Sequence, residues 1–192
     1  LNDLIEACRP FGDKSLLLAL DGLTDPQNLG AIIRSAEALG AHGLVLPQRR
    51  SAGLTGSVAK VAAGALEHLP VARVVNLNRS LEKLKDEGYR IVGLAEEGDL
   101  TLSEIKIDGP LVVVVGSEDK GISLITRRLC DQLVRIPLRG VTTSLNASVA
   151  TSIFLYEVAR SKWMRSISGQ APSPRLMKPQ ISSKSIQTVE ED

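Results

Sequence analysis

Cysteine and histidine are both scarce in this 192-residue chain, with two of each. Cys8 and Cys130 form no CxxC pair, and His42 and His68 have no partner at ligand spacing. These absences exclude a Cys-rich zinc site, a His-based metal cluster and a disulfide scaffold. No metal is expected, and the sparse cysteines fit a reducing, cytoplasmic setting. Aromatic residues make up only 3%, so the core must be aliphatic, and a base-stacking platform is a poor candidate for the main binding mode. No apolar run reaches the roughly 18 residues of a membrane span, so no membrane partner is expected. Neither charge sign dominates: 23 Lys and Arg against 22 Asp and Glu leave +1. Any basic surface is therefore local.

What the chain does have is 43% hydrophobic residues, arranged as strand-length runs that alternate with helical patterns. The length suits one domain. Residues 1–14 read as a linker or frayed helix. Residues 15–20 (SLLLAL) form a continuous apolar run, as a buried parallel strand requires. After the turn DGLTDPQN, residues 29–39 read as a helix with Leu29, Ile32, Ile33, Ala36 and Leu39 on one face. Asn28 stands at its N-cap position, and Arg34 lies roughly opposite the apolar face. Further strands are expected at 43–47, 71–75, 89–95, 111–115 and 133–137, with helices at 56–66, 78–87 and 124–130. A last helix begins near residues 145–146, with Ala150, Ile153, Phe154 and Val158 on its buried face. Residues 166–192 hold six Ser and three Pro and read as a disordered tail. The fold class is therefore α/β, with a mainly parallel sheet flanked by helices over residues 15–165. Ligands of such sheets bind outside the carboxyl ends of the strands. Three unusual loops sit at such ends: DGLTDPQN, GSEDKG and PLRGVTTSLN.

GSEDKG follows a strand and precedes a helix, but it is neither GxGxxG nor GxxxxGK[ST], so ATP hydrolysis and ordinary dinucleotide binding are poorly supported. Taken singly, each polar residue in these loops has a bland reading. Asn28 is a cap, Arg34 a surface charge, Glu118 a solvated acid or a helix N-terminal charge, and Ser144 and Asn146 are caps of the last helix.

Together, the segments DPQNLGAIIRSAEALGAHGLVLP, VVVVGSEDKGIS and VRIPLRGVTTSLNASVATSIFLYE closely resemble the three motifs of the SpoU/TrmH family of RNA ribose methyltransferases, in the SPOUT superfamily. The resemblance covers residues 17–160, with the motifs in order. The stretch RSAGLTGSVAKVAAGALEHLPVARVVNL looks most like the RlmB branch, which methylates a guanosine 2′-oxygen in large-subunit ribosomal RNA. The resemblance implies S-adenosyl-L-methionine as cofactor, a homodimer, RNA as substrate and a deep C-terminal trefoil knot that topology rules would have argued against. It maps the family's polar site residues onto Asn28, Arg34, Glu118, Ser144 and Asn146. It also implies a cofactor pocket at Gly116, Gly121, Ile136, Leu138 and Leu145, where backbone groups hold the adenosine and methionine parts. Arg34, Arg49, Arg50, Lys60, Lys120 and Arg139 are the candidates for phosphate contacts. The resemblance leaves open a tRNA substrate or a non-catalytic RNA-binding role on the same fold.

Overall fold

The computed structural model describes residues 1–164, so the expected tail at 166–192 lies outside the described residues. In chain order the elements are α1 (Asn2–Cys8), a 3-10 turn (Arg9–Lys14), β1 (Leu16–Asp21), α2 (Pro26–Ala38), β2 (Gly43–Pro47) and α3 (Gly56–Ala62). A second 3-10 turn (Ala65–Glu67), β3 (Val71–Val74), α4 (Leu77–Asp86), β4 (Arg90–Leu94) and β5 (Leu100–Thr101) follow. The series closes with β6 (Leu111–Gly116), α5 (Leu124–Leu129), β7 (Gln132–Arg135) and α6 (Ala147–Lys162). The strands form one sheet in the order β3-β2-β1-β6-β4-β7-β5, and every adjacent pair is parallel.

Both faces of the sheet are covered, which explains the unbroken apolar runs. Side chains alternate across a strand. Leu16, Leu18 and Leu20 of β1 and Val113 and Val115 of β6 enter one core with Ile32 and Ile33 of α2 and Phe154 and Val158 of α6. Leu17, Ala19, Val112 and Val114 enter the other core, with Leu81 and Leu84 of α4. Strand order reverses between β1 and β6, so a crevice opens outside their carboxyl ends.

Several expectations change. Of the two readings of residues 1–14 the helix holds for residues 2–8, but it is packed rather than frayed: Leu4, Ile5 and Cys8 are buried in the second core. The α2 helix begins at Pro26, whose fixed φ suits a first helical turn, and its cap is Asp25 rather than Asn28. The expected helix at 56–66 stops at Ala62, because Ala63 and Gly64 turn left-handed at φ 50 and 84. The two-residue strand β5 is too short to leave a period in the sequence. On α6 the buried stripe is Ala147, Thr151, Phe154, Leu155, Val158 and Ala159, while Ile153 stays 38% exposed. Thr151 can turn inward because its hydroxyl donates to the Ala147 carbonyl at 2.6 Å, which hides its polarity.

His42, half-buried against the Phe11 ring at 3.9 Å, accepts the Leu16 N–H at its Nδ1 over 3.0 Å. Burial, and then the charge of Lys162, push its pKa down to about 4. The unfolded ring takes up its proton near 6.5, so its contribution is complete above that pH and is lost as pH falls toward 4. At about 1.4 kcal/mol per unit, wild type should lose about 2–3 kcal/mol more than His42→Gln between pH 7 and 4.5. Urea unfolding of both proteins at the two pH values measures this, and parallel losses would refute it. Among the described residues no helix is long and apolar enough to cross a membrane. No group of three or more His, Cys, Asp and Glu that could hold a metal ion occurs among them either.

Candidate active site

The site is built at the switch point, from three loops that are remote in sequence. Asp25 caps α2 by accepting from the N–H groups of Gln27 at 3.0 Å and Asn28 at 3.3 Å. With the cap supplied by Asp25, the Asn28 side chain is released from local duty. It is 5% exposed and points across the crevice. Its Nδ2 donates to Oε1 of Glu118 at 2.9 Å, and its Oδ1 accepts from Nδ2 of Asn146 at 2.9 Å. Asn146 Nδ2 also donates to Glu118 Oε1 at 2.5 Å, and the Ala147 N–H donates to the same oxygen at 3.3 Å. One carboxylate oxygen thus gathers three donors, and the loops after β1, β6 and β7 close into a triangle. Glu118 is also an N-terminal charge, as its bland reading held, but for α6 rather than for the helix that follows it.

Asn146 has two duties. Its Oδ1 caps α6, accepting from the N–H groups of Ser148 at 3.0 Å and Val149 at 3.3 Å. Its amide end belongs to the triangle. The cap reading of the sequence therefore holds for Asn146, and the same side chain also ties the loops after β1 and β6 together.

Beside the triangle lies a pocket of about 580 Å³, a size suited to a small-molecule ligand. Gly116, Gly121, Ile136, Leu138 and Leu145 all line it, together with Glu118, Lys120 and Ser144. Gly116 is demanded by close approach: a Cβ there would sit 2.0 Å from the Gly121 carbonyl carbon. The GSEDKG loop therefore folds back on its own strand end, and an Asp21 carboxylate oxygen accepts the Ser123 N–H at 2.8 Å to hold it there.

Arg34 is not in the triangle. It is exposed on α2, and its side chain makes none of the hydrogen bonds or ion pairs found among the described residues. Six residues beyond Asn28, it stands about 9 Å further along the helix axis. Arg49, Arg50, Lys60, Lys120 and Arg139 are likewise exposed. Arg49 and Arg50 follow β2 and share the carboxyl end of the sheet with the pocket. Arg50 holds a left-handed backbone at φ 57, a strained conformation for a residue with a side chain.

A charged wall of the same pocket was not foreseen from the sequence. Glu96, Glu97, Arg127 and Arg135 also line the pocket. Arg127 pairs with Glu97, and the Glu97 carboxyl is held below the usual range by its own backbone N–H and then by Arg127. Among the described residues, Arg127 Nε is the buried side-chain nitrogen that has no hydrogen-bond partner. Thirty positions separate the two residues, so neither spacing nor period could have joined them.

The SpoU rRNA Methylase family model matches residues 15–156. An uncharacterized tRNA/rRNA methyltransferase of Synechocystis is 54% identical over 162 residues, 84% of this chain and 42% of the relative. One from a Mycobacterium species is 51% identical over 161 residues, 84% of this chain and 51% of the relative. The chain therefore spans about half the length of these relatives. Among solved structures, the SpoU methyltransferase AviRb of Streptomyces viridochromogenes, in complex with AdoMet, is 33% identical with a TM-score of 0.73. That match covers 78% of this chain and 58% of AviRb. The TrmH/SpoU tRNA modifying enzyme of A. aeolicus is 27% identical with a TM-score of 0.72, covering 85% of this chain and 84% of its own.

Proposed function

This chain belongs to the SpoU rRNA methylase family, and on that premise we propose that it methylates a ribose 2′-hydroxyl of RNA at the expense of S-adenosylmethionine. The proposed substrate is a guanosine of large-subunit ribosomal RNA, as in the RlmB branch that the stretch 50–77 resembles, and the proposed setting is the cytoplasm. The observation that carries the reading is the Asn28–Glu118–Asn146 triangle at the mouth of the pocket, because it joins all three motif loops at one point.

The pocket residues fit the cofactor. Ile136, Leu138 and Leu145 offer apolar wall to a flat ring, and Arg127, which also lines the pocket, offers a cationic guanidinium to a polar group. When bound, S-adenosylmethionine supplies a methyl group already activated by its cationic sulfur. The remaining work is alignment and removal of a proton from a weakly acidic hydroxyl. Asn28 has both ends of its amide engaged, so it holds the loops together and positions Glu118 and Asn146. Ser144, exposed on the pocket rim, is available to the incoming nucleotide. An arginine side chain is a poor general base, so Arg34 takes another role. It grips phosphate and stabilises the developing alkoxide, and the phosphate receives the proton.

The homodimer belongs to the same proposal. Val149, Ile153 and Tyr156 leave an apolar stripe on α6, 47%, 38% and 53% exposed. The Ser152 hydroxyl donates to that of Ser35 at 2.8 Å, which sets this stripe beside the helix of Arg34. A second copy seated there would bring Arg34 toward a partner's pocket. The trefoil knot is supported by β7, which enters between β4 and β5 rather than at an edge, before α6 returns to pack on α2.

Arg49 and Arg50 are assigned to phosphate. Reversing both to Glu should weaken RNA binding by about tenfold or more at low salt and flatten its salt dependence. Filter binding across a salt series reads this; unchanged affinity at low salt removes them from the interface. The whole reading is tested by transfer of labelled methyl from S-adenosylmethionine to ribosomal RNA and to tRNA by the full-length protein. Label in ribosomal RNA is expected. Label in tRNA alone would move the substrate to that of the A. aeolicus relative, and label in neither would sink the enzyme.

A further inference from the structure

The charged wall of the pocket is not explained by the site described so far. Arg127 sits on α5, which is fixed in place: Ser123 caps it, and the Thr126 hydroxyl donates to Asn78 of α4 at 2.9 Å. Its guanidinium reaches across to Glu97 in the turn after β4. A simple structural reading would make this pair the clasp that holds the turn. The turn, however, is held without it. Arg135 Nη1 donates to the Gly98 carbonyl at 2.6 Å, Ala95 N–H donates to the Val134 carbonyl at 2.9 Å, and Gly98 N–H closes on Ala95 at 3.1 Å. Gly98 is pressed so closely on β7 that a Cβ would lie 2.6 Å from the Val134 carbonyl carbon. Glu97 is 64% exposed in its side chain, and an ion pair to so exposed a partner contributes little.

Meanwhile Arg127 keeps one donor buried and unanswered. A buried N–H without an acceptor is costly, and a guanidinium pre-organised for carboxylate geometry is the side chain best suited to a planar anion. The cofactor carries one anion, the α-carboxylate of its methionine part; its ring end is uncharged and suits the apolar wall of Ile136, Leu138 and Leu145. We infer that Arg127 binds the α-carboxylate of S-adenosylmethionine, and that Glu97 beside it takes the α-ammonium, so that the two together read the amino-acid end. The inference rests on the cofactor occupying this pocket. It makes Arg127 a binding residue that discriminates amino-acid-bearing from truncated nucleosides.

Calorimetric titration tests it with two probes: S-adenosylhomocysteine, which keeps the amino-acid end, and 5′-methylthioadenosine, which lacks it. Arg127→Gln should weaken S-adenosylhomocysteine by about 10- to 100-fold and methylthioadenosine by less than about threefold, with Arg127→Lys between wild type and Gln. Equal losses for both probes, or no loss for either, overturn the inference. Wild type supplies a test that needs no variant: it should bind decarboxylated S-adenosylhomocysteine about tenfold or more weaker than the parent, and equal affinity is contrary to the assignment. Should wild type bind S-adenosylhomocysteine but ignore the carboxylate, only the role of Arg127 fails. Should it bind neither probe, the placement of the cofactor fails first and takes this inference with it.

Discussion

Arg34→Ala is expected to lower methyl transfer by about a thousandfold or more while leaving the affinity for S-adenosylhomocysteine within about threefold of wild type. The two halves of this expectation come from different observations. Arg34 is exposed and unengaged, and it does not line the pocket, so its removal takes nothing from the cofactor's surroundings. Its exposure also means that truncation should cost little stability. In the proposed chemistry, though, Arg34 is the charge placed where negative charge develops, and such groups carry most of the barrier lowering. Arg34→Lys should recover part of the rate, because it restores the charge without the planar fork that matches phosphate. Single-turnover transfer rates beside calorimetric affinities separate the two effects. Wild-type turnover in the Ala variant would falsify the role, and a parallel loss of cofactor affinity would return Arg34 to the pocket.

Glu118→Ala should be nearly as damaging, by another route. Glu118 Oε1 accepts from Asn28, Asn146 and Ala147, and Asn28 is buried. Removing the carboxylate leaves buried donors without an acceptor, a loss of about 2–3 kcal/mol in urea unfolding. It also frees the GSEDKG loop from the start of α6, so transfer should fall by about a hundredfold or more. The energies should not add. Asn28→Ala and Glu118→Ala act on one network, and a double-mutant cycle should show a coupling of about 1–3 kcal/mol. Strict additivity would mean that the triangle is incidental.

The extent to which the sequence anticipated this site follows from where the information lies. The strands of the doubly covered sheet were plain, because β1 and β6 feed alternate residues to two cores and so read as unbroken apolar runs. The three loops were visible as unusual strand endings, and the resemblance picked out Asn28, Glu118 and Asn146. Their mutual hydrogen bonds were not visible, since they join positions 90 and 118 residues apart. The cap of α2 was misplaced because Asn28 and Asp25 are both good caps, and only the three-dimensional competition for Asn28 decides between them. The stripe of α6 was rotated because a polarity pattern cannot see Thr151 satisfying its hydroxyl on its own helix. The packing of residues 2–8 escaped notice because one short turn of apolar residues carries no period. Arg127 and Glu97 escaped for the plainest reason: two charged residues on separate elements look like surface until the fold sets them face to face.

The most direct test of the central claim, that the three loops bring a ribose hydroxyl to an activated methyl group, is the chemical position of the transferred methyl. RNA labelled by the full-length protein is digested with alkali, which cleaves through a free 2′-hydroxyl and cannot cleave next to a methylated one. The account predicts that the label is recovered in alkali-resistant dinucleotides, at a single site. Label recovered in mononucleotides, as methylation of a base would give, would contradict it.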